Sequence, residues 1–256
     1  MSTLHGVSED FRDGVVPVAS SVSVHWYVGS PGKLVRWSWE NQGEPALDVL
    51  GLVRQPRSSA RSRHIPVTAY SMTNRGHVCL ESGLEHDLLR RVDRDPRVRR
   101  IVSQPFRLSW TGVEEGTHVP DLLTAYSDGA VTVWDVRALA FQDEDFWRAA
   151  AVTKAACDAV GWRYEVFAGL GEVERLNLLW LHGFRQQRPW LSTWEEKIRA
   201  ICAEGATLGD CFALDDGTGE ALSAVWYLVW KGVLRVDLCE SLTQFTSVSL
   251  SEVGDD

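Results

Sequence analysis

No run of about 18 uninterrupted apolar residues occurs in this chain, which argues against a membrane-spanning helix. Cysteine is sparse: Cys79, Cys157, Cys202, Cys211 and Cys239 are odd in number, widely spaced and without a C-x-x-C pair. That pattern excludes a disulfide framework and a structural zinc site and points to a reducing cytosol. The opening residues MSTLHGVSEDFRDG lack a basic segment followed by an apolar run, so no secretory leader is expected and a cytoplasmic location is. The patterns G-x-x-x-x-G-K, G-x-G-x-x-G, H-E-x-x-H and G-x-S-x-G are missing too. Nucleotide-driven, zinc-protease and serine-hydrolase chemistry therefore lack support. Lysine is absent from residues 51–107, where twelve arginines face five acids for a local charge of +7, although the whole chain carries −9. Arginine forks match phosphate oxygens better than lysine point charges do, while a solvated arginine-rich face is the plainer reading.

The rest is ordinary soluble composition: 256 residues, 45% hydrophobic and 24% charged, enough for one large domain or two modest ones. SVSVHWYV (21–28) alternates as a strand with Val22, Val24, Trp26 and Val28 on one face, and LVRWSW (34–39) can return beside it. PVTAYSM and HVCL around TNRG read as a hairpin. ESGLEHDLLRRV (81–92) has Leu84, Leu88 and Val92 at helical spacing, and Pro96 ends it. VRRIVSQPFRLSW reads as one or two strands. Residues 143–160 form a helix capped by Gly161, followed by the strand WRYEVFA (162–168). With the strand at 130–137 they make a β-α-β unit whose strands run parallel. LNLLWLHGF (176–184) is a short helix closing that domain. Beyond the polar link RQQRP, three short helices precede VLRVDL and TSVSL, which pair as strands. That is the order of a winged helix, suited to docking DNA or protein, and equally of a small helical domain.

The segment HVPDLLTAYSDGAVTVWDVRA (118–138) carries the chemistry. A three-residue loop Ser127–Asp128–Gly129 puts Asp121 directly opposite Asp135, with α-carbons about 5 Å apart. A two-residue Asp-Gly loop puts Leu122 there instead. Facing carboxylates about 5 Å apart repel by roughly 3 kcal/mol at an effective dielectric of 20. A divalent cation such as Mg²⁺ relieves that repulsion. Arg137, two residues past Asp135, shares its face, so the alternative is a closed Asp–Arg–Asp ion cluster without metal. Glu85 is a third acid, but Ser82-x-x-Glu85 also fits a capping box, and Glu81 can cap or ligate. His118 and Gln104 are secondary candidates, more often core or backbone partners than catalysts.

LESGLEHDLLRRVDRDPRVRRIVSQPFRLSW, HVPDLL, VTVWDVRA, GWRYEVF and LNLLWLHGF follow one another in an order that resembles TnsA-like endonuclease subunits of heteromeric transposases. The likeness covers about residues 65–190, and VWYLVWKGVLRVDLCESLTQFTSV is similar to the same family's C-terminal winged-helix domain. The resemblance implies an α/β fold: a restriction-endonuclease-like core, a mixed sheet flanked by helices, with a P-D…(D/E/Q)-x-K signature. It implies a nuclease domain at 65–190 and a winged-helix-like domain at 191–256, while residues 1–64, to which the likeness adds little, read as a β-rich or irregular N-terminal region. It further implies double-stranded DNA as substrate, cut at transposon 5′ ends with Mg²⁺ or Mn²⁺. Partners would be a DDE-type transposase and an AAA+ ATPase regulator. Glu85, Asp121 and Asp135 fall on the family's catalytic and metal positions. Arg137 replaces the catalytic lysine, and an arginine stays protonated at working pH, so it stabilises charge rather than acting as a base. Arg54, Arg57, Arg61, Arg63, Arg90, Arg91, Arg97, Arg99 and Arg100 would hold the DNA backbone. A catalytically degenerate binding subunit and a stand-alone defence or repair nuclease are the alternative functions.

Overall fold

The computed structural model describes residues 23–30, 33–47, 50–53, 67–111 and 115–251. They are mixed α/β and fall into two compact units. The first runs to Leu89 and resumes over Val98–Gly169; the second joins Arg90–Arg97 to the chain from Leu170 onward.

Two four-stranded sheets build the first unit. Strands β1 (Ser23–Ser30) and β2 (Lys33–Trp37) pair antiparallel, as their alternation predicts, with Trp26 and Val28 buried. They do not stand as a separate N-terminal region. β1 also pairs with β6 (Phe106–Thr111), and β7 (Gly116–His118) completes the order β2-β1-β6-β7. The second sheet has the order β10-β9-β8-β5, from β5 (Val98–Ser103), β8 (Leu122–Tyr126), β9 (Val131–Val136) and β10 (Arg163–Phe167). The β3–β4 hairpin (Val67–Ser71, Gly76–Leu80) is tied to β5 by the Asn74 amide, which donates to Ile101 O at 2.7 Å and accepts from Ile101 N at 3.0 Å.

VRRIVSQPFRLSW resolves into two strands, and the break is physical. Gln104 takes φ +47, a left-handed conformation unusual outside glycine, and Pro105 follows with no N–H to give a ladder. The chain thus steps at Gln104–Pro105 from one sheet into the other. Trp26, Phe106, Leu108, Leu123, Val133, Ala150 and Trp162 belong to one buried cluster spanning both sheets. Helix α3 (Glu144–Ala159) starts where the Asp143 side chain accepts from Phe146 N, and ends before Gly161 at φ +76. It returns the chain to β10, which runs parallel to β9 as the β-α-β pattern predicts. A one-turn α1 (Trp39–Gln42) follows β2, and ahead of β5, α2 (Gly83–Asp93) buries Leu88, Leu89 and Val92.

In the second unit, α4 (Glu172–His182) precedes α5 (Leu191–Ala203), β11 (Ala206–Thr207), α6 (Leu208–Phe212), α7 (Glu220–Trp230), β12 (Leu234–Arg235) and β13 (Ser247–Leu250). The strand order is β11-β13-β12. Thr207 and Asp210 form a full capping box at the start of α6. The α4 segment lies inside the 65–190 region expected from the sequence, yet it groups here because Leu181 packs in one cluster with Leu191, Trp194 and Leu228. Arg94 belongs here for a similar reason: its guanidinium donates to Val229 O at 2.9 Å and Trp230 O at 3.3 Å, satisfying carbonyls at the end of α7. Cys202 and Cys211 meet at 3.5 Å within this core, and burial pushes the Cys211 thiol up to about 12, so both stay protonated and unreactive.

Gly116 is fixed by a close approach. A Cβ added there would stand inside the indole of Trp110, its register partner, which is 8% exposed. Gly116→Ala is expected to lower unfolding free energy by about 1–3 kcal/mol, the usual cost of overpacking. Urea denaturation checks this; an unchanged midpoint would mean the indole is not confined.

Candidate active site

The β8–β9 hairpin sets the geometry. Leu122 pairs with Trp134, Leu123 with Val133, Thr124 with Thr132 and Ala125 with Val131. This is the register of the three-residue loop. Tyr126 N donates to Ala130 O, and Gly129 supplies the left-handed residue at φ +84. Continued one step, the register sets Asp121 opposite Asp135. There Asp121 N donates to Trp134 O at 3.0 Å, while its carboxylate accepts from Val136 N at 2.7 Å.

Asp135 points into the unit and is 1% exposed. A buried carboxylate is tolerated only when its oxygens are satisfied. His118, from the edge strand of the other sheet, brings Nε2 within 2.8 Å of both oxygens. A carboxylate only accepts, so Nε2 carries the proton. Tyr164 comes from the opposite side: β10 pairs Tyr164 with Val133, which places it on the Asp135 face, and its hydroxyl donates to Oδ2 at 2.5 Å. Burial first, then the neighbouring Asp135 charge, pushes the Tyr164 phenol well above its usual range, so it remains a donor. The same two causes raise the Cys157 thiol on α3.

Asp121 is the strained acid. Burial raises its pKa well above 3.8; the Asp135 charge adds to this, then Glu85 and, less, Glu81, against the Val136 N–H. Glu85 is therefore within electrostatic reach of Asp121. Its two oxygens close the start of α2, accepting from Glu81 N and from the Ser82 hydroxyl, both at 2.8 Å, while Ser82 Oγ accepts from Glu85 N at 3.1 Å. The capping reading of Ser82-x-x-Glu85 is thus realised, within range of the acid pair. Among the described residues no three His, Cys, Asp or Glu side chains meet as a ready metal-ligand set.

Arg137 does not close an Asp–Arg–Asp cluster. It is exposed, and its Nε donates to Phe141 O at 2.8 Å. The imidazole and the phenol hold Asp135 in its place. Sequence reading gave His118 a secondary rank and passed over Tyr164. The available signal for Tyr164 was its strand, predicted to run parallel beside the one carrying Asp135, but the pairing register needed the folded sheet. Gln104 is 3% exposed; its backbone N donates to Asp121 O at 2.8 Å, and its buried Oε1 has no hydrogen-bond partner among the described residues.

Arg54, Arg57, Arg61 and Arg63 lie outside the described residues. The remaining DNA-binding candidates are divided: Arg90, Arg91 and Arg97 belong to the second unit, Arg99 and Arg100 to the first. Arg97 is engaged with Asp95 at 2.9 Å, and Arg100 donates to Leu50 O at 3.5 Å. Arg99 is exposed.

No protein-family model matches the chain, and no curated protein matches it.

Because burial, then the Asp135 and Glu85 charges, raise Asp121 well above the ordinary 3.8, the folded protein keeps this proton to higher pH than the unfolded chain does. Stability attributable to this group is therefore lost as pH rises from about 3.8 through the raised value. In chelator, Asp121→Asn is expected to melt above the wild type at about pH 8, with the advantage shrinking toward pH 4. Calorimetry across that range checks it; a variant melting lower at about pH 8 would show that the charge is compensated.

Proposed function

We propose that this chain is a metal-dependent DNA endonuclease of the TnsA type. It would be the subunit of a heteromeric transposase that cuts phosphodiester bonds at transposon 5′ ends. The observation that carries the reading is the mutually repelling set of Asp121, Asp135 and Glu85, on the hairpin and preceding helix of an α2-β5-β8-β9-α3-β10 order. That helix–three-strand–helix–strand order fits a restriction-endonuclease-like core, with β6 and β7 inserted between its first two strands.

The donor set fits a hard cation. Asp121 carries an uncompensated electrostatic load that Mg²⁺ or Mn²⁺ would relieve, and all three donors are carboxylates. Asp121 and Asp135 would hold the ion, with Glu85 turning from its capping bonds to join them. A bound ion would supply an activated water and polarise the phosphate. The chain's own contribution is placement. His118 and Tyr164 fix the rotamer of Asp135, and the Val136 N–H fixes that of Asp121. Arg137, exposed at the strand end, would have to leave the Phe141 carbonyl to stabilise developing charge at the site.

The second unit supports a docking role. Its order α5-β11-α6-α7 and then a β12–β13 hairpin fits a winged helix. Residues 170–256 hold seven Lys or Arg against fourteen Asp or Glu, so a phosphate backbone would be repelled there. A protein partner, the AAA+ regulator or the transposase, suits that charge.

One finding favours a second reading, a catalytically degenerate subunit that binds DNA ends or a partner. The oxygens of Asp135 already accept from His118 and Tyr164, and Arg137 is turned to a backbone carbonyl.

Nicking of transposon-end DNA, with the transposase present and Mg²⁺ or Mn²⁺ added, separates the two. The nuclease reading expects cleavage that Asp121→Ala reduces at least about a hundredfold, as for loss of a principal charge-stabilising group. Cleavage only after Arg137→Lys would establish the degenerate reading, and unchanged nicking by Asp121→Ala would remove the acid pair from the chemistry.

A further inference from the structure

Beside the acid pair, β6 and β7 enclose an open groove of about 340 Å³ lined by Arg107, Thr117, His118 and Val119. Three features of its walls point to one ligand chemistry. Arg107 projects from the β6 face opposite Phe106 and Leu108, which are fully buried; it is half-buried, and no hydrogen bond or ion pair engages its guanidinium among the described residues. A rigid fork of donors left open on a groove wall suits two oxygens of one phosphate. Second, β7 is the outer strand of its sheet, so its free edge offers backbone N–H groups beside the exposed Thr117 hydroxyl. Third, His118 belongs to both places: it lines the groove and holds both oxygens of Asp135. The residue thus borders the groove while its imidazole, on the Leu108 face of the sheet, is turned to the acids.

We propose that this groove is a phosphodiester subsite, where Arg107 grips a backbone phosphate of a bound DNA strand. Arg107 is not among the arginines assigned to DNA by sequence, and it is an arginine whose chemistry the fold leaves unspent. Val119 gives the groove an apolar patch suited to a sugar face. The volume is at the small end of the roughly 300–1,000 Å³ usual for ligand sites, which fits a strand segment running through rather than an enclosed cofactor.

The ligand's identity rests on the nuclease reading, but the test needs no cleavage, so the two can fail separately. The full chain is titrated in chelator against fluorescently labelled double-stranded DNA, with anisotropy read from about 50 to 200 mM NaCl. Arg107→Ala is expected to weaken binding about five- to tenfold at the low-salt end and to reduce the salt slope by about 1, the signature of one lost phosphate contact. Arg107→Lys should keep the slope and lose less affinity. Arg163→Ala, an exposed cation on β10, should match the wild type. If Arg107→Ala folds poorly by circular dichroism, Arg107→Gln takes its place with the same expectation. Wild-type affinity and slope in the Arg107 variants would overturn the proposal. So would a wild type that does not bind DNA, or one that binds inorganic phosphate through Arg107 while DNA binding is unaffected. Absence of metal-dependent nicking alongside an Arg107-dependent slope would reject the nuclease and leave the subsite standing.

Discussion

The first unit is organised around one carboxylate that water does not reach. Asp135 sits at 1% exposure among strands whose other buried side chains are uncharged, and it is accepted there because its oxygens are met from both sides. His118 reaches it from the sheet β2-β1-β6-β7, and Tyr164 from the neighbouring parallel strand of its own sheet. The packing of the two sheets and the polar centre are therefore one constraint. Removing the imidazole would loosen a link between sheets as well as strip a partner from a buried charge, and such losses usually exceed the worth of the bond itself. Asp121 lacks that protection. It has one backbone donor and several acids nearby, so the site holds one satisfied carboxylate beside one that is not.

Much of the fold could be read from the residues. Alternation located β1 and β2, turn chemistry located the β3–β4 hairpin, and the apolar stripe with Pro96 bounded α2. For the β8–β9 register the residues leave two loops open, and the structure uses the three-residue loop ending at Gly129. What stayed hidden was non-local. Which sheet a strand joins depends on Gln104, whose left-handed conformation no propensity announces, since glutamine ordinarily avoids it. The polar partners of Asp135 lie 17 and 29 residues away in sequence, and no spacing rule connects them. Arg137 shows the opposite failure. Strand alternation puts it on the Asp135 face, yet the strand ends at Val136, and the side chain is turned to Phe141 O instead.

The arginine-rich stretch behaves less uniformly than its composition implied. Arg94 closes the end of a helix, Arg97 is engaged with Asp95, and Arg100 meets a backbone carbonyl. A run of like charge in sequence is thus partly spent on architecture, and what remains for a ligand is decided residue by residue. The acid-rich second unit has the contrary balance, with fourteen acids against seven bases over 170–256.

The position of Tyr164 has a consequence for how this molecule comes to exist. The hairpin carrying Asp121 and Asp135 closes over a three-residue loop and can form in microseconds, whereas β10 arrives only after the sixteen-residue helix α3 is in place. Until β10 docks, Asp135 can have the His118 imidazole but not the Tyr164 hydroxyl, so its burial is fully satisfied only once the last strand of this sheet is in place. The same feature makes β10 the strand on which the cooperativity of folding turns: without it, the earlier strands hold a buried charge they cannot keep.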